Sequence, residues 1–300
     1  MKSLRKRLSA AAILVAALGV PAVASPEAAR CEAFEQMVSV QMNWGPREAL
    51  RQDRLMRSAL DSMKAGVPGK RDVFILSAAF GGEHVFDKEA SSAADILAKR
   101  YGATRKVVLS NAAAMLGEKR PAATPEHFSV SLARIGEAMN PEDVLFLFIT
   151  SHGAKDKGAV VYEPQRLQSS LSPSRLAAEL DDAGIKNRVL IVSACFSGFY
   201  IPALANADTA ILTAASADRS SFGCQPEREW TYFGDAFFAH AVAGGANLMD
   251  AFDEAKVLIE KWEAELKVTP SQPRAEVGAN AKAFLADLER RPVGKNAAIQ

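Results

Sequence analysis

The sequence has almost no excess of charge of either sign. Its 300 residues contain 36 Lys and Arg against 35 Asp and Glu, which gives a formal net charge of +1. The basic surplus that would suggest a nucleic-acid partner is missing, so we expect no such partner. Apolar residues make up 49% of the chain, enough for the core of one large α/β domain or two small ones.

Motifs of several common enzyme classes are also missing. No G-x-G-x-x-G accompanies the glycines at positions 81 and 82, so a nucleotide site is not expected. Ser197 does not lie in G-x-S-x-G, which argues against a serine hydrolase. Three histidines have no Cys or His partner at metal-ligand spacing, so we expect neither a metal nor another cofactor: His84, His127 and His240.

Only the N-terminus has an apolar run that approaches the length of a membrane span. Four basic residues within positions 2–7 precede an apolar stretch at 8–20, and an A-x-A site follows at 22–24. This order is typical of a bacterial secretory signal, here residues 1–24, whereas a membrane span needs about 20 apolar residues. We expect an exported protein, periplasmic or secreted, with no membrane span in the mature chain. A retained N-terminal anchor is the alternative.

Cysteine is scarce, with only Cys31, Cys195 and Cys224 in the chain. Export permits disulfides, and an odd count leaves at least one thiol unpaired. If Cys195 is the unpaired thiol, Cys31 and Cys224 are the only pair left.

The pattern of apolar residues changes at residue 71. Residues 25–70 have apolar side chains at helical spacing, which predicts an N-terminal helical segment packed on the main domain. From 71 to 290, continuous apolar runs alternate with amphipathic segments, and residues 291–300 form a tail. The apolar runs lie at 72–79, 106–109, 144–150, 189–192 and 209–213. Such strands, alternating with helices, predict an α/β fold with a mostly parallel sheet covered on both faces.

Two of these strands end in side chains that can do chemistry. The run at 144–150 is followed by His152 and Gly153, and the run at 189–192 leads to Cys195. In open parallel sheets, ligands bind outside the carboxyl ends of the strands, so we expect the imidazole and the thiol to lie side by side if the strands are neighbours. A thiol attacks as the thiolate, and a nearby imidazole can take its proton. The backbone amides of Gly153 and Cys195 are candidates for an oxyanion hole.

Each residue alone has an ordinary explanation. A lone cysteine at a strand end is usually a small buried hydrophobe, and a lone histidine there is usually a satisfied polar residue. Their matched positions, among small neighbours, favour catalysis by the two together.

Three segments resemble the legumain-type peptidases of the caspase clan. His-Gly after one strand and S-A-C-F-S-G after the next are similar to the legumain pattern, which reads E-A-C-E-S-G around its cysteine. Residues 213–224, TAASADRSSFGC, resemble the legumain stretch T-A-A-N-P-R-E-S-S-Y-A-C, and residues 231–235, TYFGD, resemble T-Y-L-G-D. The similarity extends over residues 71–290 and favours bacterial legumain-type members over true caspases.

The resemblance implies a caspase-like three-layer sandwich with a central sheet of about six strands. It also implies hydrolysis of a peptide or protein substrate through a thioester, without a metal. By position, Cys195 would be the nucleophile and His152 the acid and base. Four further residues match or stand near positions that form the S1 pocket in legumains: Ser193, Ser220, Ser221 and Asp235.

Departures from the legumain pattern bear on specificity. Ser193 replaces an acidic S1 residue, and the segment 81–90, GGEHVFDKEA, has no Arg. Asp235 is then expected to be the unpaired charge of the pocket, which predicts Asn, Lys or Arg at P1 and weak cleavage after Asp. The legumain Asn near the catalytic histidine has no match here, so the resemblance predicts a dyad rather than a triad.

Two other functions fit the same sequence. In a transpeptidase or transamidase, an amine rather than water would capture the thioester. In a non-catalytic envelope protein, the pocket would bind a ligand and Cys195 would be unreactive. The sequence leaves the oligomeric state open.

Overall fold

The computed structural model describes residues 44–112, 120–163, 167–225 and 227–291. The predicted signal (1–24), most of the N-terminal segment before Trp44 and the tail after Arg291 lie outside these residues. The described residues belong to one compact unit. No described helix combines the length and the apolar character that a membrane crossing requires.

The elements follow one another in an alternating order. The helices are α1 (Pro46–Asp61), α2 (His84–Tyr101), α3 (Pro125–Ala138), α4 (Pro173–Asp182), α5 (Ile201–Leu204), α6 (Tyr232–Gly234), α7 (Leu248–Leu266) and α8 (Ala279–Glu289). The strands are β1 (Val73–Ala79), β2 (Arg105–Ser110), β3 (Val144–Thr150), β4 (Gly153–Ala154), β5 (Gly158–Glu163), β6 (Leu167–Leu171), β7 (Arg188–Ser193), β8 (Thr209–Thr213) and β9 (Arg274–Val277). A 3-10 turn, Ser197–Tyr200, precedes α5, and a π-helical segment, Asp235–Val242, continues α6.

The central sheet has six strands in the order β2-β1-β3-β7-β8-β9. The first five are parallel, and β9 pairs antiparallel with β8 at the edge. The predicted α/β fold with a mostly parallel sheet of about six strands is therefore confirmed. All five predicted strands are present, whereas β9 and the small antiparallel sheet β4-β5-β6 were not predicted.

Two apolar layers cover the sheet because alternate strand residues point to opposite faces. On one face, Ile75, Phe146 and Ile191 pack with α2, α7, α8 and the π-helical segment. On the other, Leu76, Leu147 and Leu190 pack with α1, α3 and α4. This arrangement makes the three-layer sandwich that the sequence resemblance implies.

Helix ends are set by local chemistry. Thr124 caps α3 because its side-chain oxygen accepts a hydrogen bond from the amide of His127 at 3.1 Å. Gly102 ends α2 in the left-handed region, with φ of 65°. α2 begins at His84, directly after the loop that leaves β1.

Candidate active site

The carboxyl ends of β1, β3 and β7 lie next to one another. The register pairs Ala79 with Thr150, and Thr150 with Ser193. Beyond this line, the amide of Ser151 donates a hydrogen bond to the carbonyl of Ser193 at 3.1 Å. The residues that follow these three strands therefore meet at one edge of the sheet.

Gly153 contacts the backbone of Cys195 directly. A Cβ at position 153 would lie 1.8 Å from the carbonyl oxygen of Cys195 and 2.9 Å from its amide nitrogen. Any side chain other than hydrogen would push the two segments apart. The structure thus brings the segment of His152 and that of Cys195 into contact, as the sequence analysis expected.

His152 is held by a carboxylate that the sequence analysis did not single out. Its Nε2 lies 2.8 Å from Oε1 of Glu83, which follows β1 and precedes α2. Its ring also meets the ring of Phe86 edge-on, with centroids 5.1 Å apart. The adjacency of β1 and β3 could have pointed to Glu83, because residues after β1 face those after β3.

A second thiol also contacts the imidazole. Cys224 forms a hydrogen bond with His152, and this contact, followed by the Glu83 carboxylate, raises the pKa of His152 to about 10 against the opposing effect of burial. The same hydrogen bond lowers the pKa of the Cys224 thiol. At neutral pH the imidazole is therefore protonated in this arrangement.

The disulfide considered for Cys224 is not formed. Cys224 is a free, exposed thiol, and its side chain is engaged with His152 rather than with another sulfur. Cys31 lies outside the described residues. Sequence spacing does not reveal which thiols are neighbours, so the pairing of the cysteines was left open by the sequence.

Cys195 lies at the end of a strained turn. Phe196, the next residue, adopts the left-handed conformation with φ of 58°, which is uncommon for a bulky side chain. Its amide donates a hydrogen bond to the carbonyl of Arg219 at 2.7 Å. The Sγ of Cys195 accepts a hydrogen bond from the amide of Ser221 at 3.3 Å. The turn presents the thiol, partly exposed, to the segment that begins at Arg219.

The imidazole and the Cys195 thiol do not share a hydrogen bond. Across the part of the chain that the structure describes, His152 bonds to Glu83 and Cys224, and Cys195 bonds to Ser221. The amide of Cys195 also donates to no acceptor among the described residues. That N–H is therefore free to bind a ligand atom.

The four predicted S1 residues have different surroundings in the structure. Ser221 contacts the Cys195 thiol, and Ser220 is exposed. Ser193 is buried, and its hydroxyl lies 3.0 Å from that of Thr231. It therefore belongs to a buried hydroxyl network rather than to an open pocket.

Asp235 is not the unpaired carboxylate that the sequence led us to expect. One of its oxygens lies 3.4 Å from a guanidinium nitrogen of Arg228, and the other lies 3.5 Å from Nε2 of His240. Arg228 is seven positions earlier, in a loop without a periodic pattern, so no sequence pattern pairs the two residues.

A fully buried carboxylate lies behind the strand ends. Glu89, in α2, is hydrogen-bonded to the hydroxyls of Thr150, Ser193 and Thr231. Burial raises its pKa to about 7, and the hydroxyl hydrogen bonds partly offset that rise. The sequence analysis missed this residue because its partners are distant in sequence. Among the described residues, no group of three or more His, Cys, Asp or Glu side chains could hold a metal ion.

The chain was compared with known proteins at the level of sequence family and of structure. The family model described as the Peptidase C13 family matches residues 134–280, which include His152, Cys195, Cys224 and Asp235. Among solved structures, caspase-1 from Spodoptera frugiperda matches with a TM-score of 0.46 and 12% sequence identity, over 71% of this chain and 93% of that one. No curated protein sequence matches the chain. As its motifs predict, the chain is similar over residues 134–280 to the Peptidase C13 family, the legumain family of cysteine peptidases in the caspase clan.

Proposed function

We propose that the chain is a cysteine endopeptidase in which Cys195 is the nucleophile and His152 the acid and base. The contact between Gly153 and the backbone of Cys195 is the main support, because it fixes the two strand ends against each other within the region that matches the family. Similarity to a cysteine peptidase family supports the reaction class.

In the proposed reaction, the Cys195 sulfur attacks the carbonyl carbon of the scissile bond. The imidazole of His152 accepts the thiol proton and passes it to the departing amine as the C–N bond breaks. Water, deprotonated by the imidazole, then hydrolyses the thioester. The amide of Cys195, with no acceptor among the described residues, and that of Gly153 would bind the oxyanion, and each such donor lowers the barrier by about 3–4 kcal/mol in comparable sites.

Glu83 extends the predicted dyad to a triad. Because its carboxylate occupies Nε2 of His152, the other ring nitrogen, Nδ1, is the one left to serve the thiol. A carboxylate in this place orients the ring and stabilises the imidazolium that forms during the reaction. Glu83 is a positioning residue in this scheme.

Cys224 competes with Cys195 for the imidazole. Its hydrogen bond to His152 and its lowered pKa favour a second assignment, in which Cys224 is the nucleophile. We prefer Cys195 because Phe196, the next residue, is in a strained conformation, the amide of Cys195 is free, and Gly153 packs directly against its backbone. In our scheme, Cys224 leaves the ring on substrate binding, the pKa of the imidazole falls, and the ring becomes able to accept a proton.

The pair formed by Asp235 and Arg228 narrows the expected P1 preference. The resemblance assigns Asp235 to the S1 pocket, and the nearby guanidinium adds hydrogen-bond donors to the carboxylate acceptors. A carboxamide offers both a donor and an acceptor, whereas a cationic side chain would be repelled by Arg228. We therefore favour Asn over Lys or Arg at P1.

A library of peptides, incubated with the purified protein and with the C195A and C224A variants, tests the proposal. We expect cleavage by the wild type and by C224A but none by C195A. Ligated products in the presence of a peptide amine would favour the transpeptidase, and binding without turnover would favour the envelope binding protein. Turnover by C195A with loss in C224A would assign the nucleophile to Cys224.

A further inference from the structure

Glu89 is a carboxylate with no solvent exposure, placed directly behind the catalytic edge. One oxygen accepts a hydrogen bond from the hydroxyl of Thr150. The other lies 2.6 Å from the hydroxyl of Thr231 and 3.5 Å from that of Ser193. The Ser193 and Thr231 hydroxyls also lie 3.0 Å from each other. The carboxylate thus closes a buried network with three hydroxyls.

These hydroxyls belong to three segments that carry the proposed site. Thr150 precedes His152 by two residues, and Ser193 precedes Cys195 by two residues. Thr231 caps α6, where its oxygen accepts the amide of Gly234 at 3.1 Å, and the chain continues directly to Asp235. Glu89 therefore joins the end of β3, the end of β7 and the start of the segment that bears Asp235.

Burying the Glu89 carboxylate costs free energy, which indicates a role beyond packing. No Lys, Arg or His among the described residues forms an ion pair with Glu89. A buried carboxylate without a cation is expensive, and an apolar side chain could fill the same volume at lower cost. The fit is also tight, since a Cβ at Gly234 would lie 1.9 Å from Oε1 of Glu89. The surroundings are shaped around this carboxylate.

We propose that Glu89 is a positioning residue, whose hydrogen bonds hold the ends of β3 and β7 at the separation that the imidazole and the Cys195 thiol need. This inference rests on the proposed function, because it concerns the same two reacting groups. Glu89 touches neither group and has no path to substrate. Its loss therefore acts on the rate of the chemical step rather than on substrate binding.

The test compares E89M, which keeps the volume but removes the hydrogen bonds, with E89Q, which keeps an acceptor and a donor. We expect E89M to lower kcat by about tenfold or more with little change in KM, because small misplacements of reacting groups are costly. E89Q should recover most of the lost rate. Alkylation of Cys195 by iodoacetamide, measured in the C31S/C224S background, should slow in E89M in parallel with kcat.

D143N is the matched control. Asp143 is also buried, but it precedes β3 at the opposite end of the sheet, where it accepts the amides of Asp72 and Asn140. The D143N substitution should lower the melting temperature without changing kcat per folded molecule. An E89M variant with the wild-type kcat, or a D143N variant with an equal loss of kcat, would overturn the proposal.

Two further measurements can still refute the proposal if E89M does not fold or if the wild type is inactive. If E89M does not fold, T150V removes one of the same hydrogen bonds, and a wild-type kcat in T150V would count against the proposal. If the wild type cleaves no peptide, the proposed function fails, whereas the alkylation rate of Cys195 still tests Glu89. An alkylation rate that is the same in the wild type and in E89M would then refute the positioning role alone.

Discussion

Oε1 of Glu83 lies 2.8 Å from Nε2 of His152, although 69 positions separate the two residues. They meet because Glu83 follows β1 and His152 follows β3, and these strands are adjacent and parallel. The contact selects which ring nitrogen is available for the thiol, and it contributes to the raised pKa of the imidazole.

Replacing Glu83 should therefore change the titration of His152. The contact with Cys224, the larger cause of the raised pKa of His152, remains in E83Q, but we expect that pKa to fall below about 10 because the carboxylate no longer stabilises the charged ring. Peptidase activity should fall by about tenfold or more, since the ring loses its orientation. NMR titration of the His152 ring measures the first effect. E137Q, at an exposed glutamate of α3, is the control, and an unchanged titration in E83Q would contradict the assignment.

Gly153 should tolerate no side chain. In G153A, the new methyl group would lie 1.8 Å from the carbonyl of Cys195, so β3 and β7 must separate at their ends. Overpacking of this kind costs about 1–3 kcal/mol of unfolding free energy, and we expect peptidase activity to be lost with it. G45A is the control because a Cβ at Gly45 meets nothing within 4 Å. Equal melting temperatures for wild type and G153A would show that the contact is looser than described.

The pairing of Arg228 with Asp235 should be visible in specificity. R228M removes the guanidinium and leaves His240 as the remaining partner of the Asp235 carboxylate, so the preference at P1 should shift from Asn toward Lys and Arg. A P1 profile from a peptide library, recorded for wild type and R228M, measures this. The same profile for both proteins would place Asp235 away from the S1 pocket. A wild-type profile dominated by Asp would contradict the P1 proposal itself.

Glu89 should make the protein less stable as the pH rises from about 4.5 to 7. The pKa of this carboxyl is about 7 in the folded protein and near 4.5 in the unfolded chain, so the folded state holds one proton more in this window. The unfolding free energy therefore decreases as the pH rises through this window. The stability that the extra proton on Glu89 contributes is fully present below pH 4.5 and is lost as the pH passes 7. It amounts to about 3 kcal/mol in total.

Other carboxyls, such as Glu83, whose pKa is lowered, change the stability with pH in the opposite direction. The difference in unfolding free energy between wild type and E89Q therefore isolates the contribution of Glu89. Denaturant titrations at pH 5 and pH 8 measure it. We expect the wild type to lose stability relative to E89Q between the two pH values. A constant difference would mean that Glu89 does not titrate in this range.

Much of the fold could be predicted because the parallel strands contain continuous apolar runs, and β1, β3, β7 and β8 are buried along their whole length. The edge strand β9 was missed because its four residues, Arg274–Val277, alternate between polar and apolar and stay partly exposed. His152 was predicted to lie near Cys195 because residues that follow adjacent parallel strands meet at one edge of the sheet, and the same argument applies to Glu83. Applying it to Glu83 required knowing that β1 neighbours β3, which the sequence does not state.

The other features of the site depend on contacts that have no sequence pattern. Glu89 joins residues that lie up to 142 positions away, and nothing in its own helix marks it as a partner of Thr231. Cys224 was considered for a disulfide because only the number of cysteines was known. Its contact with His152 arises from the path of the segment after β8, a loop that the sequence does not predict.

The alkylation rate of Cys195 tests the central claim most directly. Iodoacetamide labelling of the C31S/C224S variant, with and without H152A, isolates the Cys195 thiol and asks whether the imidazole activates it. We predict that H152A slows labelling of Cys195 by about tenfold or more, since the ring no longer accepts the thiol proton. Equal labelling rates in the two proteins would contradict a catalytic pair formed by His152 and Cys195.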